Sequence, residues 1–327
     1  MILNIEQIKS IAHGAVQTVE ENGKICLYRF TEEQRELYCG YNADFYAKSF
    51  ASAGVTLEFV TDSSRLAMKV EVTSGSSRKF FFHSIFVNGV KYASFGCEKD
   101  NCGIFGGEWS LPEGEKTVKI YFPFTTASRI ISFELDDGAT LAPVEKSKKM
   151  LMFGDSITHG YDTWAPENSY AFRVSDALGV DAVNKGIGGE IFFPELAALR
   201  DDIEPDYITV AYGTNDWTRN NKERFERSCK EFYETLSANY PKAKIFAITP
   251  IWRNRHGDPA INSIGSLAYI GEYIKKVTAA LPNVTVIDGT YLVPHNAKFF
   301  APDILHPNDE GFEYYAKNLL AELKKHL

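Results

Sequence analysis

Ser156 lies in the run Phe153-Gly154-Asp155-Ser156-Ile157-Thr158-His159-Gly160, directly after the apolar stretch Met150-Leu151-Met152-Phe153. A serine hydroxyl is a weak nucleophile until a base takes its proton. Far downstream, Asp303-Ile304-Leu305-His306-Pro307 offers an imidazole and a carboxylate three residues apart. Imidazole ordinarily titrates at about 6.5, so at neutral pH it can accept a serine proton and return it. A carboxylate on the other ring nitrogen fixes the tautomer and stabilises the imidazolium. Taken singly, Ser156 reads first as a helix cap or turn serine and His306 as a loop histidine. Taken together they read as nucleophile (Ser156), base (His306) and orienting acid (Asp303).

Two further segments could serve the same chemistry. Asn184-Lys185-Gly186-Ile187-Gly188-Gly189-Glu190 is rich in glycine, which lets a backbone approach a ligand and aim N–H groups at it. A phosphate-binding reading fails on spacing. A dinucleotide fingerprint needs glycine where Ile191 stands, and no Lys-Ser/Thr follows. In Gly213-Thr214-Asn215-Asp216-Trp217, the Asn215 amide can donate to a developing oxyanion without titrating. Asp216 reads as a cap on the next element.

The pattern around these residues says what must hold them. From residue 146 onward, strand candidates at 149–153, 181–184, 206–212, 244–249 and 284–288 alternate with helical spacing. Phe225, Cys229, Phe232 and Leu236 show that spacing, as do Phe312, Tyr315, Ala316, Leu319 and Leu323. This implies an α/β unit over 146–327 with a five-stranded parallel sheet covered on both faces. Ligands bind beyond the carboxyl ends of such strands, and each candidate segment falls at one of those ends or in the last loop. Residues 1–145 instead alternate with period two, as in Leu66–Val72 and Val118–Phe122. Asn88-Gly89 between apolar runs is a strong hairpin signal. We read 1–145 as an all-β sandwich of jelly-roll kind with a short helix near the start.

Composition narrows the function. The chain has 327 residues, 44% hydrophobic and 24% charged, enough for a sizeable core in two domains. A net charge of −8 without basic runs argues against nucleic acid as a partner. No apolar run is long enough to span a bilayer, so no membrane partner is expected. The first residues lack the pattern of a signal peptide, which favours the cytoplasm, with secretion after processing as the alternative. The five scattered cysteines form no metal-ligand cluster, and neither metal nor organic cofactor is expected.

With these residues in view, the chain resembles the SGNH/GDSL hydrolase superfamily over roughly residues 149–327. Gly154-Asp155-Ser156 is similar to its nucleophile block and Asn184-x-Gly186-x-x-Gly189 to its glycine block. Gly213-x-Asn215-Asp216 resembles the asparagine block and Asp303-x-x-His306-Pro307 the base block. The usual leucine after the serine is Ile157 here. The resemblance implies a flavodoxin-like three-layer domain with a Ser156–His306–Asp303 triad. It also implies an oxyanion site made by the backbone N–H groups of Ser156 and Gly189 and the side chain of Asn215, with the adjacent Gly188 as alternative donor. A β-sandwich ahead of such a domain is similar to two-domain carbohydrate esterases, family two among them.

Three tryptophans, Trp164, Trp217 and Trp252, fall in loops on the same edge as the triad, where aromatic faces could stack on sugar rings. Tyr161, Glu190 and Arg253 are polar candidates nearby. The loops are mixed and polar rather than a broad apolar rim. The expected activity is therefore a serine esterase removing O-acetyl groups from an oligo- or polysaccharide. The alternatives are a thioesterase, lysophospholipase or acyltransferase with the same site, or a non-catalytic carbohydrate-binding protein.

Overall fold

The period-two alternation of the first 143 residues folds as two antiparallel sheets packed face to face. In this computed structural model, which describes residues 1–257 and 263–327, the principal strands are β1 (Lys24–Tyr28), β2 (Thr56–Thr61), β3 (Arg65–Ser74), β4 (Phe81–Val87), β5 (Val90–Cys97), β6 (Gly103–Ser110), β7 (Lys116–Tyr121) and β8 (Thr126–Leu135). Hydrogen bonding orders them β1-β8-β3-β6 in one sheet and β2-β7-β4-β5 in the other, with the short strands Ala12–His13, Gln17–Glu21 and Ala142–Pro143 alongside. Leu57, Phe59, Val118 and Ile120 of one sheet meet Val70, Val72, Ile130 and Phe133 of the other in a dry core. The Phe59 and Phe133 rings meet edge to face at 5.8 Å. The β4–β5 hairpin turns on Asn88 and Gly89, both at positive φ (48° and 76°), as an Asn-Gly turn requires.

The sequence pattern predicts an all-β N-terminal half with one short helix; the structure has three helices there. Besides α1 (Ile5–Ile11) there are α2 (Glu32–Tyr41) and α3 (Ala43–Ser49). Thr31 and Gln34 form a capping box at the start of α2, and Asn42 caps α3. These two helices leave the sandwich. Phe30, Tyr38 and Phe45 join the core of the C-terminal half beside Phe193, Tyr212 and Trp217. The sequence signal was a short amphipathic segment whose partner lies about 150 residues away, so no local pattern shows what it covers.

The C-terminal half holds β9 (Lys148–Gly154), β10 (Val180–Gly186), β11 (Tyr207–Ala211), β12 (Lys244–Ile248) and β13 (Val284–Ile287), all parallel, in the order β10-β9-β11-β12-β13. The helices are α4 (Ser156–His159), α5 (Tyr170–Leu178), α6 (Pro194–Ala198), α7 (Thr214–Arg219), α8 (Lys222–Asn239), α9 (Leu267–Thr278) and α10 (Asp309–Leu323). The run Met150–Phe153 is apolar throughout because β9 is covered on both faces. Leu151 and Phe153 pack with Phe232 and Leu236 of α8. Met150 and Met152 pack with Tyr170 of α5 and Phe312 of α10. Register sets Gly154 beside both Gly186 and Ala211, so the chain leaves three neighbouring strands at one edge. Among the described residues no helix is long and apolar enough to cross a membrane.

Candidate active site

That edge gathers the sequence-predicted residues. Asp155 caps α4 through the Ile157 N–H at 2.9 Å, which leaves Ser156 in the first turn, buried but for 5% of its surface. The final loop returns over it. Asn308 caps α10 through the Gly311 N–H at 3.0 Å, with Asp309 and Glu310 in the first turn. This anchored loop brings His306 Nε2 to 2.7 Å from Ser156 Oγ. On the other side of the ring, His306 Nδ1 meets Asp303 Oδ2 at 2.6 Å. Residues 150 apart in sequence thus form one hydrogen-bonded line from hydroxyl through imidazole to carboxylate.

The electrostatics suit that line. Burial works against charge on Asp303, but the His306 hydrogen bond and the N–H groups of Leu305 and His306 outweigh it and hold the carboxyl well below the usual carboxylate range. Asp303 is therefore an acceptor at neutral pH, able to keep an N–H on Nδ1 and leave Nε2 lone-paired toward Ser156. Beneath the serine, burial pushes Asp155 up to about 6 despite the Ile157 N–H.

The glycine segment lies against α4 through Gly188 and His159, and the asparagine segment lies against the glycine segment through Asn215 and Glu190. The Gly188 N–H donates to His159 Nδ1 at 3.1 Å and is thereby occupied. The Gly189 N–H has no acceptor among the described residues, and Gly189 sits at φ +93° with its carbonyl held by Arg219 Nη1 at 2.7 Å. Asn215 Nδ2 gives one hydrogen to the Glu190 carbonyl at 2.9 Å and keeps the second. Ser156, as first residue of α4, has an N–H with no intrahelical partner.

The aromatic and polar candidates divide. Trp164 is 52% exposed, stacks on Phe80 at 5.3 Å and lines an open groove of about 520 Å³ together with Asp162, Pro302 and Asp309. Trp252 is half-buried against Phe300 and stacks on His295 at 5.6 Å. Tyr161 is buried and stacks on the His306 ring at 5.6 Å. Arg253 is half-buried and donates to Thr214 Oγ1 at 3.1 Å. Trp217 and Glu190, expected to meet substrate, do not reach the surface. Trp217 has no exposed area and spends its indole N–H on the Gly265 carbonyl at 2.9 Å, because α7 turns it into the core rather than the loop. Glu190 accepts from Tyr38 and Tyr212 at 2.5 and 2.7 Å in full burial, which pushes its carboxyl up to about 8 against those two bonds. Asp216 is not a cap either. It lies inside α7, accepts from the Phe192 N–H and Asn220 Nδ2, and burial pushes it up to about 7.

Both the sequence and the fold match known proteins. Residues 152–314 match the family model described as GDSL-like Lipase/Acylhydrolase. The chain carries a GDSL-like lipase/acylhydrolase domain. Three solved structures share the whole two-part fold with this GDSL-like protein. A salicylyl-acyltransferase from a tetracycline biosynthetic pathway superposes with a TM-score of 0.83 at 22% identity, over 96% of this chain and 94% of that one. A family two carbohydrate esterase from Cellvibrio japonicus gives 0.70 at 18%, over 99% and 97%. An acetyl xylan esterase from the rumen bacterium Butyrivibrio proteoclasticus gives 0.68 at 16%, over 99% and 98%. No curated protein matches the GDSL-like chain in sequence.

Sequence reasoning missed residues of the N-terminal half that reach this site. Arg29 has no exposed surface and donates to the carbonyls of Asn184 and Gly186 at the end of β10. Lys48 Nζ donates to the Gly188 carbonyl at 2.8 Å. Arg78 holds Asp162, which borders His306. Asp162, one residue past Tyr161, was within reach of the sequence as a carboxylate beside the nucleophile segment; the other three had no local signal.

Proposed function

We propose that this protein is a serine esterase that removes O-acetyl groups from carbohydrate through an acyl-enzyme. The observation that carries the reading is the unbroken line from Ser156 Oγ through His306 to Asp303, at 2.7 and 2.6 Å. In the first step Ser156 Oγ bonds to the acetyl carbonyl carbon while His306 Nε2 takes its proton, and Asp303 steadies the imidazolium. The carbonyl oxygen becomes an oxyanion among the N–H groups of Ser156 and Gly189 and Asn215 Nδ2, each such donor worth on the order of 10²–10³ in rate. As the tetrahedral carbon collapses, His306 gives its proton to the departing sugar oxygen. Water, deprotonated by His306, then attacks the acetyl-enzyme and releases acetate and free Ser156.

The carbohydrate part of the reading is supported by the likeness to carbohydrate esterases and by the exposed Trp164 on Phe80 beside the triad. We take 1–145 and 146–327 as the two domains. We also take the first as a jelly roll, since eight successive strands interleave as β1-β8-β3-β6 and β2-β7-β4-β5. The test is acetate release from a chromogenic acetate and from acetylated xylan, mannan and simple sugars. The wild type turns over the small ester and at least one acetylated carbohydrate, and Ser156→Ala abolishes both. Equal release by wild type and variant sinks the reading.

A second reading keeps the acyl-enzyme but passes the acyl group to an alcohol other than water, supported by the likeness to the salicylyl-acyltransferase. Added acceptor alcohols would then divert product from free acid to new ester. A preference for long acyl chains would point instead to a thioesterase or lysophospholipase.

A further inference from the structure

Asp162 and Arg78 belong to none of the four sequence blocks, yet they converge on the imidazole. Asp162 Oδ2 lies 3.2 Å from His306 Nδ1, the same atom that Asp303 Oδ2 meets at 2.6 Å. Arg78, in the segment between β3 and β4, grips Asp162 with two bonds, Nε to Oδ1 at 2.7 Å and Nη2 to Oδ2 at 2.6 Å. Its guanidinium also lies 5.0 Å from the centre of the Tyr161 ring, and that ring stacks on His306. Two contacts therefore run from one N-terminal side chain to the imidazole.

The arrangement has a physical logic. Two carboxylates beside one N–H repel each other unless a cation offsets one of them. A bidentate guanidinium does this and also fixes the plane of the carboxylate, which a lysine ammonium does not. Both partners are held in turn. Asp162 stands at φ +69°, a left-handed conformation unusual for a residue other than glycine, in a turn closed by Thr163 Oγ1 on the Gly160 carbonyl at 2.9 Å. Asn101 is buried and donates to the Arg78 carbonyl at 2.8 Å. The Asp162 side chain is 17% exposed against 39% for Asp303, so it is the more sheltered of the two carboxylates.

We propose that Asp162 is a second orienting carboxylate for His306 and that Arg78 fixes it there, so that the N-terminal sheets supply a positioning element of the catalytic site. The proposal rests on the reading of His306 as the base for Ser156. When Asp303 is lost, Asp162 accepts the Nδ1–H in its place, and the productive tautomer survives.

The test is a double-mutant cycle on the full chain with a chromogenic acetate. The variants are Asp303→Ala, Asp162→Asn and their combination, with Arg78→Met and Arg78→Lys in each background. Removing a lone orienting aspartate costs roughly 10⁴ in kcat; here Asp303→Ala is expected to cost only on the order of 10², because a second acceptor remains. The double variant should lose more than the product of the single losses, with KM little changed. Arg78→Met should reproduce Asp162→Asn in both backgrounds, and Arg78→Lys should recover part of the loss. The low-field imidazole N–H proton resonance should persist in Asp303→Ala and vanish in the double variant. Losses that simply multiply, or a resonance indifferent to Asp162, overturn the proposal. Should Asp162→Asn lower the thermal midpoint too far to assay, the two Arg78 substitutions decide the same question. Activity retained in Ser156→Ala would instead overturn the esterase reading on its own.

Discussion

The guanidinium of Arg29 donates through one nitrogen, Nη1, to the carbonyl of Gly186 at 2.7 Å, although 157 residues separate the two. The same nitrogen reaches the Asn184 carbonyl at 2.7 Å, while Nε and Nη2 serve Ala51 and Lys48. Gly186 ends β10 and starts the segment that carries Gly189, the proposed oxyanion donor. A residue just past the end of β1 therefore anchors the start of the segment that carries the proposed backbone donor. Burial lowers the Arg29 pKa to about 10, so it stays a cation at neutral pH with four carbonyls as its solvent.

Replacing it should be costly. Arg29→Met leaves several buried carbonyls without donors, each such loss worth about 1–3 kcal/mol. We expect urea denaturation to show a loss of at least about 3 kcal/mol, with reduced kcat in whatever fraction folds. A loss within about 0.5 kcal/mol, the usual range for surface positions, would mean the cation is dispensable.

Asn215 offers its second amide hydrogen where the oxyanion would form. Asn215→Ala should lower kcat by on the order of 10²–10³ and leave KM nearly unchanged, since the donor acts on charge that develops in the transition state. Gly189→Ala should act in the same direction. At φ +93° a Cβ is strained, and it would lie 3.0 Å from Arg219 Nη1. Steady-state kinetics on a small acetate ester read both; a rise in KM alone would assign these residues to ground-state binding.

Trp164 separates substrate size from chemistry. Its exposed ring on Phe80 borders the groove next to Asp162 but touches none of the triad side chains. Trp164→Ala should leave turnover of a small chromogenic acetate within about twofold and raise KM for acetylated oligosaccharides by about tenfold, the loss of roughly one stacking contact. Equal effects on both substrates would place the ring in the catalytic machinery instead.

Buried acids predict an unusual pH profile of stability. Glu190 is pushed up to about 8 and Asp216 to about 7, so each favours the folded state in its protonated form. Their contribution is complete below the ordinary carboxylate range and is lost as pH rises through those folded values. Burial lowers His83 to about 3 and His159 well below its ordinary value; their contribution is complete above the ordinary imidazole range and is lost as pH falls. Between about pH 6.5 and 8 the acids alone remain, so the thermal midpoint should fall with rising pH, Glu190 supplying up to roughly 1.4 kcal/mol per pH unit. Glu190→Gln should flatten the slope in that window; an unchanged slope would remove Glu190 as its source.

The strand ends of the C-terminal half were legible because each strand is a local run with its own period, and because Gly154, Gly186 and Gly213 mark the turns. Trp217 was misplaced because a helix turn, not a loop, follows Gly213, and that turn points the indole inward. Helix α2 carried a readable capping box, but what α2 and α3 cover is set by a distant sheet. Glu190 looked like a loop carboxylate until Tyr38, from one of those helices, closed over it.

By itself the sequence determined the alternation of strand and helix, the order of the four segments and the residue types able to do acyl chemistry, because all of these are local patterns of burial and turn geometry. Only the tertiary structure decided that Arg29, Lys48 and Arg78 of the first half grip the glycine segment and the carboxylate beside His306. Such bonds join groups 84 to 157 residues apart, and no periodicity records them. They exist because two separately patterned halves of the chain bury a shared boundary, where every backbone carbonyl and every charge must find a partner.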